Sequence, residues 1–187
     1  MRTLIVIDMQ NDFVTGPLGT PEAREIVPRV QAKLDTYLNE NKVVIFTQDT
    51  HYPDYLKTQE GNNLPIEHCL HKSEGWQIIP ELDRSTNTKV FTALKKSFGY
   101  GHWIAKGGLL GISPNSGANS CIGEGMDIEV VGVCTDICVI SNVLLLKAAF
   151  PEAKITVDAS CCAGTTPEKH RAALEVMKSC QINIINE

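Results

Sequence analysis

The chain has 187 residues, 43% of them apolar and 21% charged, with a formal net charge of −5. That length suits one domain with a sizeable core. The acidic balance and the lack of any run of five or more lysines and arginines speak against a nucleic-acid surface, and no apolar stretch approaches the roughly 20 residues that cross a bilayer.

Strand-like residues 3–7 follow the first residues directly, with no n-region, h-region or cleavage site ahead, which predicts a cytoplasmic protein. Leu4, Ile5, Val6 and Ile7 form the continuous apolar run of a central parallel strand. The run ends at Asp8, and a carboxylate at the carboxyl end of such a strand is a functional candidate as readily as a loop cap. Gly16, Pro17, Gly19 and Pro21 mark a loop. Pro28 opens a predicted helix to about residue 41, with Val30, Leu34, Tyr37 and Leu38 on one face. Val43 to Thr47 is the second strand, running into Gln48, Asp49, Thr50 and His51. Residues 52–80 show no periodicity, and a loop of that length in a compact domain is commonly functional. His51, His68 and His71 lie in or beside it.

A third strand begins at Lys89, Val90 and Phe91, followed by Lys95, Lys96, Ser97, Phe98, Gly99 and Tyr100. Residues 102–110 read as a short helix, and 113–125, rich in Ser, Gly and Asn, as a loop. Ile128 to Val133 is a buried strand, polar only at Glu129. Thr135 and Asp136 are N-cap residue types for a helix over 137–150, which puts Cys138 in its first turn. The free N–H groups and positive partial charge there favour a thiolate and can hold a developing oxyanion, although a buried cysteine is as often a small hydrophobe. Lys154 to Val157 is another strand, ending at Asp158, Ala159 and Ser160. A helix over 167–180 and a last strand over 182–185 complete the chain.

Strands alternating with helices predict a doubly wound, three-layer α/β sandwich around a mostly parallel sheet of about six strands, as a single domain over 1–187. No GxGxxG or GxxxxGK[ST] pattern occurs, so the architecture does not imply a nucleotide. The seven cysteines, Cys69, Cys121, Cys134, Cys138, Cys161, Cys162 and Cys180, are odd in number and form no CxxC pair. Free thiols are expected rather than a disulfide framework, a thioredoxin-like site or a four-cysteine zinc knuckle.

Three strand ends thus supply Asp8, the Asp49/His51 pair and the Cys138 turn, and neighbouring carboxyl ends of a parallel sheet share one crevice. A cysteine nucleophile needs a base and a stabiliser for the oxyanion. Asp8 can take the thiol proton, a nearby lysine can hold the charges, and two backbone amides at the turn can bind the oxyanion. Asp49, His51 and His68 suit zinc or a similar ion, but spacing alone is a weak signal, since a loop histidine is more often simply exposed or hydrogen-bonded.

Several motifs, in order, carry a resemblance over nearly the whole chain: Leu4 to Phe13, Thr47 to His51, Glu67-His68-Cys69, Gly132 to Val139, and the tail from Asp158 to Ala163. Together they resemble the isochorismatase-like cysteine hydrolase superfamily, and within it the nicotinamidase- and pyrazinamidase-type amidases. The resemblance implies a catalytic triad of Asp8, Lys95 and Cys138. Lys95 is placed by standing three residues before Phe98-Gly99, with Lys96 and Lys89 as competitors. It implies the metal ligands Asp49, His51 and His68 for a divalent ion, zinc first with iron or manganese as alternatives, and leaves His71 at the surface. It implies a cis peptide at Val133–Cys134 and an oxyanion hole from the amides of Cys134 and Cys138.

The aromatic residue that such amidases place ahead of the second metal histidine is missing from Asn63, Leu64, Pro65, Ile66 and Glu67. Phe13 is therefore expected as one wall of the substrate pocket, and Tyr100 or Trp103 as the other. The implied activity is hydrolysis of a small amide such as nicotinamide through a thioester, with release of ammonia. Another amide or carbamoyl compound is the alternative, and isochorismate is disfavoured. A small-molecule substrate and a homo-oligomer are implied, with no nucleic-acid or membrane partner. Outside this class stand a silent binding module and a thiol redox protein using Cys134 and Cys138.

Overall fold

A computed structural model describes residues 2–104 and 125–187. Its centre is a fully parallel sheet of six strands: β1 (Arg2–Ile7), β2 (Val43–Asp49), β3 (Val90–Lys95), β4 (Asp127–Val133), β5 (Lys154–Ala163) and β6 (Asn183–Ile185). The spatial order is β3-β2-β1-β4-β5-β6. Helices α1 (Asn11–Val14), α2 (Pro21–Glu25) and α3 (Val27–Asn39) precede β2 in the chain, and α4 (Gln59–Asn63) lies in the long connection between β2 and β3. Helices α5 (Ile140–Ala149) and α6 (Pro167–Ser179) follow β4 and β5.

The period of two along β1 explains the layers. Leu4 and Val6 pack with Val30, Leu34 and Tyr37 of α3, while Ile5 and Ile7 pack with Val143 and Leu146 of α5 and Leu174 and Met177 of α6. A strand buried on both faces must be apolar throughout, which is why the run is continuous. The chain winds outward from β1 to β3, then returns to place β4 against β1. That reversal opens a crevice at the carboxyl ends of β1 and β4. Gly132 lets the two strands close beneath it: its φ is +121°, and a Cβ there would stand 2.2 Å from the Ile7 carbonyl oxygen.

Strands β2, β3 and β5 run further toward their carboxyl ends than the apolar runs suggest, so Asp49 and Lys95 are the last residues of β2 and β3. A five-residue π-helical turn, Thr135–Val139, stands ahead of α5 and holds Cys138. Neither Thr135 nor Asp136 caps it; Cys134 occupies the cap position. Their side chains are taken by tertiary partners instead. Thr135 Oγ1 lies 2.8 Å from His170 Nδ1, and Asp136 accepts from the Thr165 N–H at 2.8 Å and its hydroxyl at 2.6 Å. Of the helix expected over 102–110, a 3-10 turn at Gly101–Ile104 is described; residues 105–110, positions 113–124 of the expected loop and Cys121 lie outside the described residues.

Glu129, the buried polar residue of β4, receives Arg2, Lys33 and the Tyr37 hydroxyl. Among the described residues no helix is long and apolar enough to cross a membrane.

Candidate active site

Four strand ends build the site. Asp8 follows β1 with φ +48°, a left-handed conformation that a non-glycine residue adopts at a cost and that aims its carboxylate out of the strand. The Thr47 hydroxyl donates to Asp8 Oδ1 at 2.6 Å and accepts from the Asp8 N–H at 3.2 Å. Lys95 Nζ lies 2.7 Å from Asp8 Oδ2, 3.5 Å from Cys138 Sγ and 3.4 Å from Asp49 Oδ1. All four side chains are buried. Strand alternation decides among the lysines: Ala93 and Lys95 face inward from β3, Lys96 is exposed over the Tyr52 ring, and Lys89 lies before the strand begins.

Burial raises the Cys138 thiol well above its ordinary pKa, against the pull of Lys95. Burial likewise raises the Asp8 carboxyl, with Lys95 opposing. Burial works against the charge on Lys95, but Asp8, Cys138 and Asp49 outweigh it and hold that pKa high. Burial thus opposes the thiolate that the helix start and Lys95 favour, and a base beside the sulfur is what such a site needs. Cys134 is pushed up to about 12 by burial and then by Asp136, which gives its thiol little redox or nucleophilic character. Cys134 and Cys138 are both free thiols, and the peptide Val133–Cys134 is cis.

Beside this cluster, Asp49, His51, Glu60 and His68 bring one ligand atom each within 4.8 Å of one another. His51 Nε2 lies 2.9 Å and His68 Nε2 3.6 Å from Asp49 Oδ2; Glu60 Oε1 lies 3.7 Å and 3.9 Å from the same two nitrogens. Such separations suit donors that share one ion through bonds of about 2.0–2.2 Å. His68 Nδ1 lies 2.8 Å from the Ile66 carbonyl, which turns Nε2 inward toward Asp49 and Glu60. Two carboxylates and two imidazoles fit a divalent ion of the zinc, iron or manganese kind. Burial opposes charge on Asp49, yet bonds from His51 and His68, with Lys95, hold its pKa below the usual carboxylate range. His71 stands apart, stacked edge-on to Trp76.

Glu60 is a residue the sequence reading missed: it sits on the short helix α4 inside the aperiodic loop, at no recurring distance from either histidine. Gln10 is another. Its amide accepts from the Asp49 N–H at 2.8 Å and donates to the Asp49 and Trp76 carbonyls at 2.9 and 2.8 Å. A buried amide that grips both main-chain groups of Asp49 fixes where that carboxylate points.

A cavity of about 370 Å³ opens over both groups, lined by Phe13, Leu18, Leu64, Phe98, Ile137 and Thr165, together with Asp49, Glu60, His68 and Cys138. Phe13 lines it and stands edge-on to His68. Tyr100 does not line the cavity. It is buried in the core layer beside Trp103, because its N–H and the Trp103 indole are both drawn onto Asn142 of α5. Phe98 and Leu64 occupy the wall that Tyr100 or Trp103 was expected to supply.

A parallel sheet that gathers an acid, an amine and a thiol at its switch point, beside a set of metal-ligand side chains, has the equipment of a small-molecule hydrolase. The isochorismatase domain model matches residues 2–186, and the chain belongs to that family of α/β hydrolases. The nicotinamidase/pyrazinamidase of Mycobacterium tuberculosis is 28% identical over 198 residues, covering 99% of this chain and 98% of that protein. The crystal structure of a nicotinamidase/pyrazinamidase from Bacillus subtilis superposes with a TM-score of 0.79 at 23% identity, covering 99% of each chain. That of the Pyrococcus horikoshii pyrazinamidase in complex with zinc gives 0.75 at 24%, covering 100% of this chain and 99% of that one.

Proposed function

We propose that this hydrolase cleaves a small uncharged amide, such as nicotinamide, to the acid and ammonia, with Cys138 as nucleophile. The observation that carries the reading is Lys95 Nζ standing within 3.5 Å of Cys138 Sγ and 2.7 Å of Asp8 Oδ2 beside an apolar cavity. Asp8, its basicity raised by burial, accepts the thiol proton as Sγ attacks the amide carbon. The amides of Cys134 and Cys138 are the donors proposed for the developing oxyanion. Asp8 returns the proton to the leaving nitrogen, ammonia departs, and a thioester remains on Cys138. A water that gives its proton to Asp8 then attacks the thioester, and the acid leaves as the thiol is restored. Lys95 stays protonated and balances the charge passing between Asp8 and Cys138. Asp49, His51, Glu60 and His68 would hold a divalent ion, which when bound supplies a Lewis acid to orient a polar group of the substrate.

Among the described residues lining the cavity there is no lysine or arginine. Asp49 and Glu60 would repel a carboxylate-bearing carbamoyl substrate wherever a bound ion does not offset them, and the apolar walls of Phe13, Leu18, Leu64, Phe98 and Ile137 suit an uncharged ring amide. The test is ammonia release by protein of known metal content from nicotinamide, pyrazinamide, benzamide and a carbamoyl amino acid. Release from the ring amides, at least 100-fold faster than from the carbamoyl amino acid, is expected. No release from any of them would defeat the reading.

A further inference from the structure

Asn142 is 0% exposed on α5, within the apolar layer that holds Val139, Val143 and Leu146. Its amide makes four hydrogen bonds, the full set one neutral amide can form in the plane of its lone pairs and protons. Oδ1 accepts from the Tyr100 N–H at 2.9 Å and the Trp103 indole N–H at 2.8 Å. Nδ2 donates to the Phe98 carbonyl at 3.1 Å and the Cys138 carbonyl at 2.8 Å. Two partners are N–H groups and two are carbonyls, so chemistry alone fixes which way the amide faces. A polar side chain in an apolar layer is tolerable only when satisfied in this way.

The two ends of this bridge matter. One is the main chain of Cys138. The other is the segment 98–103, which leaves β3 three residues after Lys95. The sheet gives Lys95 and Cys138 only an indirect relation: β3 is an edge strand, and β2 and β1 lie between it and β4. Any shear across those strands would open the 3.5 Å contact between Nζ and Sγ. Asn142 closes the circuit directly, from the nucleophile's carbonyl to the carbonyl of Phe98, whose ring is a wall of the cavity.

We propose that Asn142 is a positioning residue for the nucleophile, bracing the Cys138 turn against the arm that carries Lys95 and Phe98. This rests on the reading of Cys138 as nucleophile. Two variants test it: Asn142→Leu, which keeps the branched outline in a somewhat larger side chain and removes all four bonds, and Asn142→Ser, whose hydroxyl can back-bond to the Cys138 carbonyl but cannot reach the arm. Each is expected to lower kcat about 100-fold with KM changed less than fivefold, the scale of a small misplacement of reacting groups. Each is also expected to slow alkylation of Cys138 by iodoacetamide at least tenfold, read by peptide mass. A merely structural Asn142 would lower the melting temperature while the folded variants kept wild-type kcat and alkylation rate, and that result overturns the proposal. Wild-type protein supplies a third readout. Carbamidomethylation of Cys138 should move the Trp103 indole ¹H–¹⁵N resonance through the Asn142 bridge, and an unmoved resonance also counts against it. If wild-type protein releases no ammonia from any amide, the amidase reading fails alone, since alkylation and the indole resonance still decide the role of Asn142.

Discussion

Asp49 and Lys95 are register partners at the ends of β2 and β3, and their side chains meet at 3.4 Å. The other oxygen of Asp49 faces His51 and His68, and the same ammonium reaches Asp8 and Cys138. The candidate metal group and the candidate triad are thus one connected system of buried charge. A change at either end is felt at the other.

Lys95 and Lys96 should separate cleanly. Among the described residues Lys95 is the one side chain in contact with Asp8, Asp49 and Cys138 together; with Lys95→Met, kcat/KM is expected to fall at least 10³-fold, in the range seen when charge stabilisation at a reacting centre is lost. Lys96→Met alters an exposed cation over the Tyr52 ring and should change kcat/KM less than twofold. Steady-state ammonia release on the two variants decides between them.

Removing metal should be reversible. Dialysis against a chelator is expected to lower activity at least tenfold, with recovery on adding zinc, manganese or ferrous ion. Glu60→Gln should weaken retention of the ion by at least tenfold without unfolding the protein, because Glu60, on the short helix α4, is only partly buried and is the least buried of the four ligand candidates. Elemental analysis after gel filtration, beside the activity, reads both effects.

Gly132→Ala tests the closure of β4 on β1. The added methyl would meet the Ile7 carbonyl at 2.2 Å from a φ of +121°. Backbone cannot yield cheaply there, and a loss of about 3 kcal/mol or more is expected. For a chain of this size that is a fall of about 6–12 °C in melting temperature by calorimetry.

Glu129 makes a prediction in pH. Burial opposes its charge, but Lys33 and Tyr37, with Arg2, hold its pKa below the ordinary carboxylate value in the folded protein. The unfolded chain therefore binds the proton more readily. The stabilisation is fully present above the ordinary carboxylate pKa and is lost as pH falls toward the folded value. Glu129→Gln should cost about 2–3 kcal/mol at pH 7, discounted for the half-exposed Arg2. Wild type and variant should converge in melting temperature as the buffer is taken well below pH 4.

The parts of this molecule most legible in its sequence are those where one rule acts alone. β1 and the apolar run of β4 read correctly because a strand buried on both faces can be nothing but apolar. β3 was visible only at its start, since an edge strand with exposed Thr92 and Leu94 carries half the signal. The placing of Tyr100 as a pocket wall failed for a non-local reason: nothing near Tyr100 announces that an asparagine on a later helix will take its N–H inward. Glu60 was illegible for the same kind of reason, being one acidic residue in a loop of many polar ones. The helix start at Cys138 was legible locally, whereas the desolvation that opposes a thiolate there is set by the whole sheet packed around it.

The most direct test of the central claim is the mass of the protein acid-quenched during turnover of nicotinamide or whichever ring amide it hydrolyses. The account predicts an acyl adduct, substrate minus ammonia, on the peptide that contains Cys138, and neither adduct nor ammonia from a folded Cys138→Ala variant. Undiminished ammonia release by Cys138→Ala would contradict it.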